Sequence, residues 1–334
     1  MKGNILLEPF KPGTLGTGTI KGFLFNLGKT IVLNTPSKFR LEPLSNSFII
    51  EVKSDNAGTS NNNQFQFTGA EGNYDVVAKQ SGVIVDTFND LSGQETITFS
   101  NGAGTYILEI TPKEVSPFNR IQFSRSGDKE KLMDIKQWGN IVWSNMEEAF
   151  SGCSNLVADS YTDAPDLSSV LSIRRMFRQS DFNGKISNWD VSNVVNFSEF
   201  VLFCGNFNKP VGLWDTSDGV DFGGMLRETS YNQTLVNFVT GSATQLDSMM
   251  NSTPFDQDIS SWNISNVSNW ANFMTGVELS STNYDLLLNA WSQQSVRPNQ
   301  SVDFGNSTYT SAGETARNVL INTYGWTISD GGLV

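Results

Sequence analysis

The sequence predicts a mainly β protein with short helices: an extended N-terminal arm, a small antiparallel β-sandwich, then a capped repeat solenoid. Three observations predict it. Apolar residues alternate with a period of two between Asn46 and Phe123, and beyond Met146 they recur about every 24 residues. The chain also carries 29 glycines among many Asn, Ser and Thr, which favours turns and strands over long helices.

The arm, residues 1–45, is punctuated by Gly13, Gly16, Gly18, Gly22 and Gly28, with short apolar pieces such as Ile31-Val32-Leu33 between them. These pieces are too short to build a core, so a strand or two and a partner surface are expected. The arm holds six basic and two acidic residues, whereas the chain from Met146 onward holds eight basic and twenty acidic ones. The basic arm is therefore expected either to dock on an acidic neighbour or simply to be solvated. An apolar stretch as short as residues 22–27 with no small-residue cleavage site after it is not a secretory signal, and no stretch is long enough to span a membrane.

Residues 46–124 alternate in pairs and triplets: Phe65/Phe67, Tyr74/Val76, Val83/Val85, Ile97/Phe99, Tyr106/Leu108/Ile110 and Ile121/Phe123. Turn signals such as Asp55-Asn56-Ala57-Gly58, Ser81-Gly82 and Asn101-Gly102-Ala103-Gly104 separate them. Short strands at this spacing predict an antiparallel sandwich. Gly104-Thr105-Tyr106-Ile107-Leu108-Glu109-Ile110 resembles the last strand of PKD-type immunoglobulin-like modules. The Trp-Gly-Asp-Gly motif typical of those modules is replaced here by Val77-Ala78-Lys79-Gln80-Ser81-Gly82.

Residues 125–277 read as the solenoid. Trp189, Trp214, Phe238 and Trp262 are spaced by 25, 24 and 24. Seven residues earlier stand Phe182, Phe207, Tyr231 and Phe255, and three earlier Ile186, Val211, Leu235 and Ile259. Eight later come Phe197, Phe222, Leu246 and Trp270, followed by the pairs Phe200-Val201, Met225-Leu226, Met249-Met250 and Phe273-Met274. Met176-Phe177 and Ala149-Phe150 mark earlier copies. One repeat cannot bury its apolar side alone, but the next copy covers it, so each column becomes a continuous spine. The Phe-x-x-x-Ile-x-x-Trp part predicts a short strand, and the i, i+3, i+4 spacing of the part ending in Met-Phe predicts a short helix.

The run from Met176-Phe177 through Phe182-Asn183-Gly184-Lys185-Ile186-Ser187-Asn188-Trp189-Asp190-Val191-Ser192-Asn193-Val194 resembles the BspA-type, leucine-rich-like surface repeat. So does Phe255-Asp256-Gln257-Asp258-Ile259-Ser260-Ser261-Trp262-Asn263-Ile264-Ser265-Asn266-Val267, and Gly325-Trp326-Thr327-Ile328-Ser329-Asp330-Gly331-Gly332 is similar to that family's terminus. The copy around Trp214 departs most, with Thr216-Ser217-Asp218-Gly219 in place of the Val-Ser-Asn-Val run. The resemblance implies a leucine-rich-like solenoid of the kind found in bacterial surface adhesins and in bacteriophage tail proteins.

Residues 278–334 predict a helical cap, since the last layer would otherwise leave a bare apolar face. Thr282 is the expected N-cap of a first helix, with Asp285 at its third position and Trp291 at its end. Ser311-Ala312-Gly313-Glu314 is expected to open a second helix that runs towards Ile321.

Composition narrows the function classes. Histidine is absent, which removes Ser-His, Cys-His and His-metal chemistry. The acidic body, within a net charge of −12, disfavours nucleic acid. Glu147-Glu148 and Asp256/Asp258 are the carboxylate pairs a glycosidase would need, but nothing in the sequence marks a cleft around them. No Asp-x-Asp-x-Asp-Gly run marks a calcium loop, so neither metal nor cofactor is expected. The row Asn183, Asn208, Asn232, Asp256 reads as a hydrogen-bond ladder between layers, with glycan contact as the sharper alternative. The repeat tryptophans read as core rather than as sugar platforms. Cys153 and Cys204 lie two layers apart, about 10 Å at the usual strand spacing, beyond the reach of a disulfide. The expected function is a non-enzymatic structural and adhesive virion protein, a tail fibre, spike or decoration. It is expected to be homo-oligomeric, to attach to other virion proteins through the arm and to bind a host-surface glycan or protein, at a face the sequence leaves unknown. A bacterial cell-surface adhesin is the alternative, and a polysaccharide-depolymerising spike a third reading.

Overall fold

A computed structural model describes residues 29–34, 38–43 and 46–334 except Val236, in two compact units, Met1–Leu44 and Ser45–Val334. In the first unit, β1 (Lys29–Asn34) pairs antiparallel with β2 (Lys38–Pro43), with Lys29 opposite Pro43 and Asn34 opposite Lys38. The glycine-rich stretch on which the attachment expectation mainly rests lies outside the described residues.

The second unit opens with β-structure. Its strands are β3 (Phe48–Lys53), β4 (Gln64–Gln66), β5 (Asn73–Gln80), β6 (Val83–Ser92), β7 (Thr96–Thr98), β8 (Thr105–Pro112) and β9 (Leu132–Gln137). Five form an antiparallel sheet in the order β6-β5-β8-β3-β9, and β4 pairs with β7. Alternation is visible strand by strand: Phe48, Ile50 and Val52, then Tyr74, Val76 and Ala78, then Tyr106, Leu108 and Ile110 all point inward. Ser81 and Gly82 both have positive φ, 52° and 80°, as a two-residue hairpin turn between β5 and β6 requires. Two expectations fail here. Val83 is 64% exposed, because β6 is an edge strand whose outer end has nothing to pack against. Ile121 and Phe123 are buried but lie in no strand. They begin the first coil of the solenoid instead, where the Phe123 N–H donates to the Ala149 carbonyl.

The expected boundary at residue 124 falls inside this unit. β9, beyond it, completes the sheet by pairing with β3. A buried Asp128 accepts the backbone N–H groups of Thr59, Ser60 and Gln66, while the buried Lys131 ammonium donates to the carbonyls of Ser60, Asn61 and Gln64. Each charge is thus surrounded by hydrogen-bond partners, which burial demands. Burial pulls the Lys131 pKa below its usual value, against the opposing pull of Asp128.

The coils are neither strand nor helix. In one of them the N–H groups of Ile173, Arg175, Phe177 and Gln179 donate to carbonyls of the next layer, at Asn196, Ser198, Phe200 and Leu202. The residues between them turn back: Met176, Arg178 and Ser180 donate to the carbonyls three residues earlier. The next coil repeats this, with Phe197, Glu199, Val201 and Phe203 reaching Asp221, Gly223, Met225 and Arg227. Tandem turns of this kind share the apolar spacing of a helix, which is why the sequence reads as helical there. They differ in placing residues such as Arg175, Gln179, Glu199 and Phe203 at positive φ. Single parallel bridges, such as Asn196 with Asp221 and Asp221 with Gln245, are the strand-like remnant.

Between the coils run the spines. Phe182, Phe207, Tyr231 and Phe255 stack ring on ring at 6.2, 6.1 and 6.3 Å. Trp189 stacks on Trp214 at 6.4 Å, and the Trp214 indole N–H donates to the Ile186 carbonyl at 2.8 Å. In the Cys153 row, Ser180, Thr229 and Thr253 donate to the carbonyls three residues before them. Cys204 instead donates its thiol across to the preceding layer, to the Phe177 carbonyl at 2.9 Å. Both cysteines are free and buried.

The cap holds the α-helices of the described residues, α1 (Ser281–Trp291) and α2 (Ser311–Asn322). Strand β10 (Ser301–Asp303) pairs with β12 (Thr327–Ser329), and β11 (Thr308–Tyr309) with β13 (Gly332–Leu333), both in parallel. The N-cap position of each helix lies before the expected one. Ser280, not Thr282, precedes α1, and Thr310, not Ser311, caps α2 by accepting the Ala312 N–H. Asp285 turns away from its own helix and binds the Thr310 N–H and hydroxyl, joining the two helices.

Candidate functional site

The turn ladder fixes which side chains face outward. Two neighbouring columns run along it: Glu147, Arg174, Ser198, Gly223, Asp247, and Glu148, Arg175, Glu199, Gly224, Ser248. At their N-terminal end opposite charges alternate between layers. Arg175 forks onto Glu199 at 2.8 and 2.9 Å and reaches back to Glu148 at 3.3 Å, and Arg174 pairs with Glu147 at 2.7 Å. The Ser124 hydroxyl, with help from Arg175, holds the Glu148 carboxyl below its ordinary pKa. Burial pushes Glu199 upward, but the Arg175 hydrogen bond and the arginine charges outweigh it and leave that pKa lowered.

At Gly223-Gly224 the columns lose their side chains, and an open trough of about 590 Å³ lies there. Asp221 and Asp247 close over the glycine: a Cβ at Gly223 would stand 2.9 Å from Asp247 Oδ1 and 3.2 Å from Asp221 Oδ1. Neither aspartate forms an ion pair among the described residues. Asp221 Oδ1 accepts the Gly223 N–H, and Asp247 Oδ1 accepts Asn269 Nδ2 at 2.9 Å. Burial, then the charge of Asp221, raises the Asp247 pKa. On the rim, the Arg227 guanidinium lies 5.7 Å from the Phe203 ring, which is 37% exposed. Asn269 also lines a second trough of about 680 Å³, between the last repeat and the cap. Asn269 is thus the residue that the two depressions share.

The residues singled out in the sequence stand elsewhere. Asn183, Asn208, Asn232 and Asp256 form the ladder: each Oδ1 accepts the backbone N–H of the corresponding residue one layer on, at 3.3, 3.0, 3.0 and 2.8 Å, ending on Ser280. Asn208 and Asn232 are nonetheless exposed, so this row lies on the surface. Trp189, Trp214 and Trp262 are buried core. Glu147 and Glu148 are held in the ion-pair ladder, and Asp258 accepts the Ser260 N–H. Neither pair faces the trough. Among the described residues no group of three Cys, Asp or Glu side chains is placed to hold a metal ion.

Gly223-Gly224 carries no periodic signal in the sequence, because it interrupts a column instead of repeating one. The available signal was the pair of glycines where the other copies carry Ser198-Glu199, Asp247-Ser248 and Ala271-Asn272.

The family model described as "Mycoplasma protein of unknown function, DUF285" matches residues 144–254 and 224–312. No curated protein and no solved structure matches the chain.

Proposed function

The chain belongs to the DUF285 family, a domain related to the BspA-like repeats, and from that premise we propose that it is a non-enzymatic adhesive protein whose solenoid recognises an external surface. The observation that carries this reading is the trough over Gly223 and Gly224. It is open, polar and built on a hydrogen-bonded ladder, and the carboxylate pairs singled out in the sequence, Glu147-Glu148 and Asp256/Asp258, do not line it. Rigid presentation lowers the ordering cost of binding. The primary setting is a virion, as a tail fibre, spike or decoration held through the arm and acting as a homo-oligomer. The opposite charges of the first 45 residues and the chain beyond Met146 support attachment of this kind. A second setting is the bacterial cell surface, for which the family's Mycoplasma description supports the bacterial source.

Binding of the labelled full chain to intact candidate host cells tests the adhesive reading, and saturable binding is the expected result. Binding no greater than that of a heat-unfolded control contradicts it. Mass spectrometry of purified particles, set against surface proteolysis of intact cells, separates the two settings.

A further inference from the structure

We infer that the trough over Gly223 and Gly224 is a row of subsites for an uncharged, linear oligosaccharide lying along the solenoid axis. The inference rests on the adhesive reading and names what that surface grips. Length is the first argument. The two depressions share Asn269, and their linings together reach from the Arg174 layer to the Thr327 layer. Parallel bridges link Asn196, Asp221, Gln245 and Asn269, and Ser301 pairs with Thr327 beyond them. Seven layers at strand spacing make a track of about 29 Å. One pyranose ring is about as long as one layer, so successive sugars meet successive rungs.

Chemistry is the second argument. The floor offers carboxylates at Asp221 and Asp247 and amides at Gln245 and Asn269. Sugar hydroxyls both donate and accept, so they satisfy such a mixed row, whereas an extended peptide would need apolar pockets for alternate side chains. The part-exposed Phe203 ring on the rim gives one sugar an apolar face to lie against.

Charge is the third. Each arginine bordering this trough has an ion-pair partner: Arg174 has Glu147, Arg175 has Glu148 and Glu199, and Arg227 has Glu228, while Arg178 shares Glu199 and keeps an unbonded Nε. Asp221 and Asp247 remain as the uncompensated charges, so an acidic sugar is repelled.

Glycine is the fourth. At the position of Gly224 the other layers carry Arg175, Glu199, Ser248 and Asn272 at φ of 56°, 54°, 53° and 58°, against 61° for Gly224 itself. The backbone here admits side chains, so the absent one is what opens the trough.

Isothermal titration of the full chain with cellulose-, starch- and chitin-derived oligomers, from di- to hexasaccharide, and with hexagalacturonate tests the inference. One neutral series should bind with affinity rising with length, and hexagalacturonate should not bind. Gly224→Arg should weaken the neutral hexasaccharide at least ten-fold with an unchanged melting profile. Should that variant fold poorly, Ser248→Arg, in the same column, provides the same block. Absence of binding by all three neutral series overturns the inference, as does tighter binding of the galacturonate or indifference to the blocking variant. Cell binding without oligosaccharide binding sinks this inference alone, while loss of cell binding sinks the adhesive reading beneath it.

Discussion

Asn208 Oδ1 accepts the Asn232 N–H and Gln233 Nε2, and Asn232 Oδ1 accepts the Asp256 N–H and Gln257 Nε2. This row was legible because it recurs beside a core aromatic, where a backbone N–H aimed along the axis needs an acceptor. The tryptophans were legible for a similar reason, since they stand in register with aliphatic residues. Trp262 is 1% exposed and donates its indole N–H to the Leu235 carbonyl. Trp262→Ala should therefore lower stability by about 3–5 kcal/mol, through lost burial and the cavity left behind. Urea unfolding followed by circular dichroism measures it, and a loss below about 1 kcal/mol would contradict the burial. The cysteines give a second residue-scale expectation. Burial pushes the Cys204 thiol up to about 12 and Cys153 well above its ordinary value. At pH 8 a thiol reagent should label neither until the chain unfolds; rapid labelling of the native protein would mean that the Cys rows lie open.

Among the elements, the coils show where periodicity misleads. Apolar residues at i, i+3 and i+4 describe a helix, and tandem turns closed by bonds to the third residue back produce the same spacing. The distinguishing feature is a positive φ at every fourth position, which Arg175, Gln179, Glu199 and Phe203 adopt although none is glycine. Single-residue preference argues against that conformation, and the inter-layer hydrogen bonds override it. Once the coils are ladders, charges one layer apart become neighbours, as in Glu148, Arg175 and Glu199. The pKa values of Glu148 and Glu199 are lower folded than unfolded. Their contribution is therefore complete above about pH 4.5 and is lost as pH falls through the lowered folded values. Asp247 has the opposite sign: its pKa is raised, so its ionisation opposes folding as pH rises above the ordinary aspartate value. Thermal melts from pH 7 to pH 3 should show the native midpoint falling below pH 4.5, and Arg175→Gln should flatten that fall. Asp247→Asn should raise the midpoint at pH 7. A native acid limb that survives unchanged in Arg175→Gln would assign the acid sensitivity to other carboxylates.

At the scale of the molecule, sheet and solenoid were legible as two patterns, but their junction was not. Two periodicities suggest two bodies, and residue 124 is where one fades. The structure joins them there by three devices. β9 lies beyond the change of period yet supplies an edge strand of the sheet. Phe123 and Ser124 lie before or at it yet donate to Ala149 and Glu148 as the first coil. Asp128 and Lys131 are buried against the segment from Thr59 to Gln66, which ends in β4. None of these leaves a periodic trace, because each occurs once. A chain cut at residue 124 should then fail in a specific way. The piece 125–334 would lose β3, the partner of β9, and would expose Trp138 and Trp143, which pack on Phe48 at 5.7 and 5.2 Å. It would also lose every hydrogen bond that Asp128 and Lys131 make to the segment from Thr59 to Gln66, so that the third device is gone as well. A chain beginning at Asn46 keeps all three devices and should unfold in one cooperative transition at the temperature of the full chain. Calorimetry of both pieces decides it. Independent cooperative unfolding of 125–334 near that same temperature would show that sheet and solenoid are separate folding units after all.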